Sequence, residues 1–259
     1  MRSPIPDPVS IEGLTGWRHV YQSSVGSTNQ LLMDAASDGA SIDRLWWTAD
    51  EQLGGRGRRG RQWASPPGNM YASVGLVDPA APESLGTLPL LAALAAHNAI
   101  SDALPSDRKE TCQIKWPNDV LINRAKCAGL LLEAFSNNGA VGVVIGFGIN
   151  CAHAPTDTPY PTATLVAQGA TISPHALWRA LADSFAHYLQ LWDRGRNFAE
   201  IRQLWLANAV GVGEEITVNL ANGSKRGIFH TIDDEGFLLL NSANKKAERI
   251  SAGDVFFQH

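Results

Sequence analysis

Ten residues of this chain carry most of its chemical potential: Gly54-Gly55-Arg56-Gly57-Arg58-Arg59-Gly60-Arg61-Gln62-Trp63. Four arginines fall within six positions, spaced by glycines, and no acidic side chain lies among them. Guanidinium forks match phosphate and carboxylate geometry, and glycine lets a backbone turn tightly or approach a ligand closely. Such a stretch repels itself until an anion arrives, so it reads as an anion clamp. Gly55-x-Gly57-x-x-Gly60 also fits the dinucleotide fingerprint. That fingerprint requires a helix to open at its third glycine, whereas Pro66-Pro67 follow here and forbid a helix interior. Two other readings stay open. One is a nucleic-acid arm, which calls for a basic chain, while this one has a formal charge of -4. The other is a loop closing over the phosphates of a nucleotide.

Three further groups could join the loop. Ser27-Thr28-Asn29 precedes Leu31, Leu32, Ala35 and Ala36, a helical spacing with Ser27 as N-cap and Gly39 as stop. Free N–H groups at such a start suit a small polar ligand, and capping alone also accounts for the hydroxyls. Lys115-Trp116-Pro117-Asn118-Asp119 puts a polar turn between two short apolar runs. It is explained either by the turn propensity of Asn and Asp or by an aspartate near a metal-bound phosphate. Lys126 opens the apolar run Cys127 to Leu132, where a lysine is costly unless it snorkels or meets an anion.

These groups need a scaffold. Strands are expected at Trp17–Val25, Leu45–Ala49, Met70–Val77, a run from Lys126 through Phe135 to a hairpin at Asn137-Asn138-Gly139, and Val141–Cys151, with glycines at its end for close ligand approach. Helices are expected over Leu85–Leu104, Ser173–Trp192 and Asn197–Ala209. Beyond Gly211 four short apolar runs, near Glu215, Arg226, Gly236 and Asp254, read as a small β-barrel. A hydrophobic content of 44% with 18% charged residues is that of a globular protein with a full core. No apolar run could span a membrane and the proline-rich start lacks a signal-peptide core, so a cytoplasmic location is expected. Cys112, Cys127 and Cys151 show no C-x-x-C spacing. The P-loop pattern and the G-x-S-x-G elbow are both absent. Many cationic donors, one carboxylate and no nucleophile–base pair point to a nucleotide-using enzyme acting on a small acid.

Gly55-Arg56-Gly57-Arg58-Arg59-Gly60-Arg61-x-Trp63, Lys115-Trp116-Pro117-Asn118-Asp119, Lys126-x-x-Gly129 and Gly146-x-Gly148-Ile149-Asn150 occur here in the order found in biotin protein ligases. From about Val25 onward the chain resembles that family. The resemblance implies an α+β fold: a central mixed or antiparallel sheet flanked by helices, as in class II synthetases, with a small C-terminal SH3-like β-barrel. It implies an N-terminal segment over 1–25, a catalytic domain over 26–210 and the barrel over 211–259. It implies that MgATP and biotin give biotinyl-5′-AMP, from which biotin passes to a lysine of a biotin carboxyl carrier domain. By resemblance, Ser27, Thr28, Asn29 and Gln52 are biotin contacts, as are Gly55, Arg56, Gly57, Arg58, Trp63 and Gly129. Lys126 and Arg58 are the catalytic cations. Arg59, Arg61, Lys115, Asn118, Asp119 and Asn150 lie on the ATP side, with Asp119 at the metal. About 25 residues precede the match, too few for the winged-helix domain of some relatives, so no operator DNA binding is expected. A homodimer through a sheet edge is expected. A lipoate ligase would share the fold and the lysine but not the arginine loop or the Lys-Trp-Pro-Asn-Asp block.

Overall fold

The structure, a computed structural model, describes residues 5–137, 139–242 and 245–257. In chain order its elements are β1 (Val9–Ser10), β2 (Arg18–Val25), α1 (Thr28–Ser37), β3 (Leu45–Gln52), β4 (Met70–Val77), α2 (Leu88–Ala103), β5 (Cys112–Lys115), β6 (Asp119–Ile122), β7 (Ala125–Asn137), β8 (Ala140–Ile149), α3 (Pro174–Trp192), α4 (Phe198–Ala207), β9 (Glu215–Leu220), β10 (Gly223–Ile232), β11 (Leu238–Ser242), β12 (Lys245–Ile250) and β13 (Asp254–Phe257). Asn138, in the middle of the expected hairpin turn, lies outside the described residues. The helix expected from Leu85 begins at Leu88, because a 3-10 turn over Pro82–Thr87 precedes it, and Pro89 sits in the first turn.

Two sheets organise the chain. The larger has the order β1-β2-β3-β4-β8-β7-β6-β5. Its β2–β3 pair is parallel, with α1 as the crossover that parallel neighbours require. The other ladders are antiparallel. Successive residues on a strand face opposite sides, and the chain uses both. Trp47 and Val144 pack with Leu32, Ala35 and Ala36 of α1, while their neighbours Trp46 and Ile145 join the cluster under α2, α3 and α4. Phe185 of α3 meets Trp17, Trp46 and Phe147 edge-on, with centroids 6.0, 5.6 and 6.0 Å away. Truncating a buried aromatic of this kind costs about 3–5 kcal/mol.

The smaller sheet is antiparallel throughout, in the order β12-β11-β10-β9-β13. Its inner side chains, among them Val218, Phe229, Leu238 and Val255, belong to the same apolar cluster as the larger sheet. One strand escapes an apolar-run reading. Lys245–Ile250 is charged along most of its length yet pairs with β11, as charged edge strands do. Docking through a shared core brings the turn before β13 against the open end of the first sheet.

Candidate active site

The arginine stretch folds back on itself. Trp63 N–H donates to the Gly55 carbonyl (2.9 Å), Gly57 N–H to Arg61 (2.7 Å), and Gln52 N–H to Ser65 (3.2 Å). Arg59 turns the corner with φ 58° and Gly60 with φ 71°. Gly55 has a packing role: a Cβ there would lie 2.5 Å from both Ser65 Oγ and the Trp63 carbonyl. The loop roofs a pocket walled by the start of α1, the ends of β3, β4, β7 and β8, the β5–β6 turn and residues 253–256.

The inner end of this pocket is a neutral hydrogen-bond network. Gln52 Oε1 accepts from Thr28 N–H (2.9 Å), and Gln52 Nε2 donates to Ser65 Oγ (3.2 Å), which fixes the amide's orientation. Thr28 Oγ1 lies 2.7 Å from Ser73 Oγ, and Ser73 donates to Asn29 Oδ1 (2.5 Å). Ser27 caps α1, accepting weakly from Gln30 N–H at 3.4 Å, and keeps its own hydroxyl proton. Thr28, Asn29 and Ser73 are buried. Ser73 is absent from any motif. Its only signal is a hydroxyl in the middle of the otherwise apolar strand Met70–Val77. Gly146, expected to admit a ligand, lines the pocket and also admits a side chain, since a Cβ there would collide with the Asn29 amide.

The outer end is ionic. Asp119 opens β6 with Lys126 Nζ at 2.7 Å and Lys115 Nζ at 3.2 Å. Burial works to raise the Asp119 carboxyl, but the two ammonium groups prevail and hold it below the ordinary carboxylate range. Lys126 also lies 5.4 Å from the centre of the Trp63 ring and 5.5 Å from that of Tyr160. Trp63 lies flat over glycines: added Cβ atoms at Gly129 and Gly148 would stand 3.0 and 2.5 Å from it. Arg58 donates to Asn118 Oδ1 (3.1 Å) and to the Gly253 carbonyl (3.2 Å). Burial draws its pKa down, opposed by Asp254 and Asp119.

The expected self-repulsion of the loop is offset from a distance. Asp254, at the start of β13, meets Arg58 (3.7 Å), Arg59 (3.1 Å) and Arg61. Nothing local to the loop could signal this partner, which is 193 residues beyond Arg61.

Of the residues singled out by sequence, Ser27, Thr28, Asn29, Gln52, Arg56, Gly57, Arg58, Arg61, Trp63, Lys115, Asn118, Asp119, Lys126 and Gly129 line one pocket. Gly55, Arg59 and Asn150 are not among its lining residues. Arg59 faces Asp254. Asn150 is buried behind Lys126, donating to its carbonyl at 3.4 Å. Asp119 has its two oxygens turned to lysines. Motif reading missed Ser73, Tyr160, Gly253 and Asp254, which also line the pocket.

Residues 21–150 match the Biotin/lipoate A/B protein ligase family, and residues 211–258 match the Biotin protein ligase C terminal domain. A biotin–[acetyl-CoA-carboxylase] ligase of Paracoccus denitrificans is 39% identical over 220 residues, covering 82% of this chain and 90% of that protein. The chain belongs to the biotin protein ligase family. A second biotin–[acetyl-CoA-carboxylase] ligase of this family, from Mycobacterium tuberculosis, is 34% identical over 248 residues, covering 93% of this chain and 90% of its own. Among solved structures, a biotin protein ligase from Aquifex aeolicus in complex with biotin and ATP aligns with a TM-score of 0.77 over 92% of this chain and 97% of that one. At 23% identity the likeness speaks to the fold. The family's α+β architecture, a mixed sheet flanked by helices and followed by a C-terminal antiparallel sheet, is the one described above.

Proposed function

We propose that this chain is an ATP-dependent biotin protein ligase: it activates biotin as biotinyl-5′-AMP and transfers it to a lysine of a biotin carboxyl carrier domain. One observation carries the reading. A single pocket has hydrogen-bond acceptors at its inner end and Arg58, Lys115 and Lys126 at its outer end. Biotin has matching ends, a ureido ring with two N–H donors and a carboxylate. Thr28 and Ser73 oxygens accept from the N–H groups, and the Ser27 hydroxyl donates to the ureido oxygen.

In the first step a biotin carboxylate oxygen attacks the α-phosphorus of ATP. The bond to the bridging oxygen breaks and pyrophosphate leaves with its electron pair. Two anions must meet for this, so neutralising charge is the main demand on the protein. Lys126 stands beside the carboxylate and α-phosphate, Arg58 beside the adenylate phosphate, and Arg61 and Lys115 toward the outer phosphates. Trp63 and the loop cover the anhydride from water. In the second step the neutral amine of the acceptor lysine attacks the anhydride carbonyl, loses a proton, and expels AMP. Mg2+ neutralises the triphosphate when bound. No three His, Cys, Asp or Glu side chains converge among the described residues. That donor set suits an ion held mainly by phosphate; of the two carboxylates lining the pocket, Asp119 and Asp254, we assign the metal contact to Asp119, which would share an oxygen between the ion and a lysine.

We assign the catalytic unit to the larger sheet and its helices through 210, starting before the expected 26 because β1 and β2 pair into that sheet, and 211–259 to the C-terminal unit. No helix among the described residues is long and apolar enough to cross a membrane, which suits a cytoplasmic enzyme. ATP–pyrophosphate exchange tests the reading, run with biotin, with lipoate and with no acid. Exchange that requires biotin is expected. Exchange with lipoate alone would overturn the substrate, and exchange with neither would overturn adenylation.

A further inference from the structure

Glu133 lies on β7 outside the pocket, and no motif includes it. Its carboxylate accepts from Asn29 Nδ2 at 2.9 Å, and its other oxygen stands 3.9 Å from Arg56 of the arginine loop. The Leu131 carbonyl is the second acceptor near Asn29 Nδ2, at 3.4 Å. An amide nitrogen surrounded by acceptors must be the donor end, so Asn29 Oδ1 faces inward as an acceptor. From there the direction of each hydrogen bond is forced. The Ser73 proton goes to Asn29 Oδ1 at 2.5 Å. Ser73 Oγ then has only lone pairs for Thr28, so the 2.7 Å contact is donated by Thr28, whose other acceptor, Gln52 Oε1, lies farther away at 3.1 Å. The single Thr28 proton is thereby used inside the network, and Thr28 Oγ1 and Ser73 Oγ are left as acceptors toward the pocket.

We propose that Glu133 is a positioning and specificity-determining residue: by fixing the Asn29 amide, it sets the Asn29–Ser73–Thr28 network to accept, so that the inner pocket takes a ligand ring bearing N–H groups. The inference rests on the biotin reading above and extends it to a residue that does not touch the ligand. Glutamine is the informative replacement. It offers one acceptor where the carboxylate offers two, between Asn29 Nδ2 and an Arg56 that also donates to Gln30 Oε1 at 2.6 Å. If its oxygen turns to Arg56, its NH2 meets Asn29, the Asn29 amide flips, and the chain of donors can reverse.

The test is calorimetric titration of the full-length protein with biotin, and with the two analogues in which one or the other ureido N–H is replaced by a ring oxygen. Glu133→Gln is expected to weaken biotin binding about tenfold, as for one misdirected buried hydrogen bond. It is also expected to bind at least one oxygen analogue relatively better than the unaltered protein does, and to change kcat less than KM in pyrophosphate exchange. In an Asn29→Ala background Glu133→Gln should have no further effect on binding, because its influence passes through Asn29. Unchanged affinity and discrimination, or the same loss without Asn29, would overturn the proposal. If Glu133→Gln lowers the melting midpoint by more than about 5 °C, Glu133→Asp decides, since it retains both acceptors. Recovered discrimination supports the proposal and continued loss overturns it. Failure of the unaltered protein to bind biotin would instead overturn the functional reading, which separates the two failures.

Discussion

The two ends of the pocket are built on opposite physical principles. The inner end is neutral, buried and joined by short hydrogen bonds among Gln52, Thr28, Ser73 and Asn29. The outer end consists of charges already paired with charges: Asp119 with two lysines, Asp254 with three arginines. A preorganised neutral network recognises shape and donor pattern with little dependence on the medium. A set of internal ion pairs is a reservoir of cations whose present partners must be exchanged for, or shared with, incoming phosphate. The contrast explains why the ring and the phosphates can be handled by one pocket without each disturbing the other.

Removing Lys126 should produce the largest failure. Lys126→Ala takes away the cation proposed to stand where carboxylate and phosphate meet and leaves Asp119 with Lys115 alone. Exchange kcat is expected to fall about 10²–10³-fold, while biotin affinity, set at the inner end, changes much less. Comparable losses in both would dissolve the distinction between the two ends. Asp119→Asn leaves two lysines facing each other and should cost about 3 kcal/mol, or about 6–12 °C of melting temperature. Its pH signature is specific. Because the folded-state carboxyl is depressed, its stabilisation is complete above the unfolded pKa of about 3.9 and is lost as pH falls through the lower folded value. Thermal melts below about pH 4 should therefore converge for Asp119→Asn and the unaltered protein; curves that stay parallel would rule out that linkage.

Arg58→Gly removes the guanidinium assigned above to the adenylate phosphate and should release biotinyl-5′-AMP about tenfold faster, seen as biotin appearing on lysines of a bystander protein. Raising salt from about 0.05 to about 0.5 M should raise the KM for ATP severalfold and leave biotin affinity nearly unchanged. An equal effect on both would remove the contrast. Asp254→Asn should have the smallest effect, about threefold on kcat/KM for ATP, because its partners are partly exposed and such pairs contribute little each. Its clearer readout is trypsin cleavage within the loop, expected to accelerate.

Local chemistry was legible in the sequence, and distant partnership was not. The arginine loop, the capped start of α1, the polar β5–β6 turn and Lys126 each carry their signal within a few residues, and the structure brings them to one pocket. Strand and helix positions followed from apolar spacing because both faces of the large sheet are buried. Asp254 and Glu133 could not be found that way. Each acts on residues more than 70 positions away, through a register that only the assembled sheets define. Glycine roles were half legible. The need for close approach at Gly55 and Gly146 was evident, but the approaching groups are protein side chains and backbone. Strand β12 was missed because its charge suits an edge and defeats a search for apolar runs.

The pocket's wall at residues 253–256 has a consequence for how the enzyme comes into being. Synthesis proceeds from the N-terminus, so a growing chain holds the arginine loop, the hydroxyl-bearing helix start and both lysines long before it holds Asp254. Until the 193 residues beyond Arg61 are made, the arginines lack that counter-charge. The site is complete only when β13 has emerged and docked, which makes the ability to form a reactive anhydride depend on the smaller sheet as well as on the larger one.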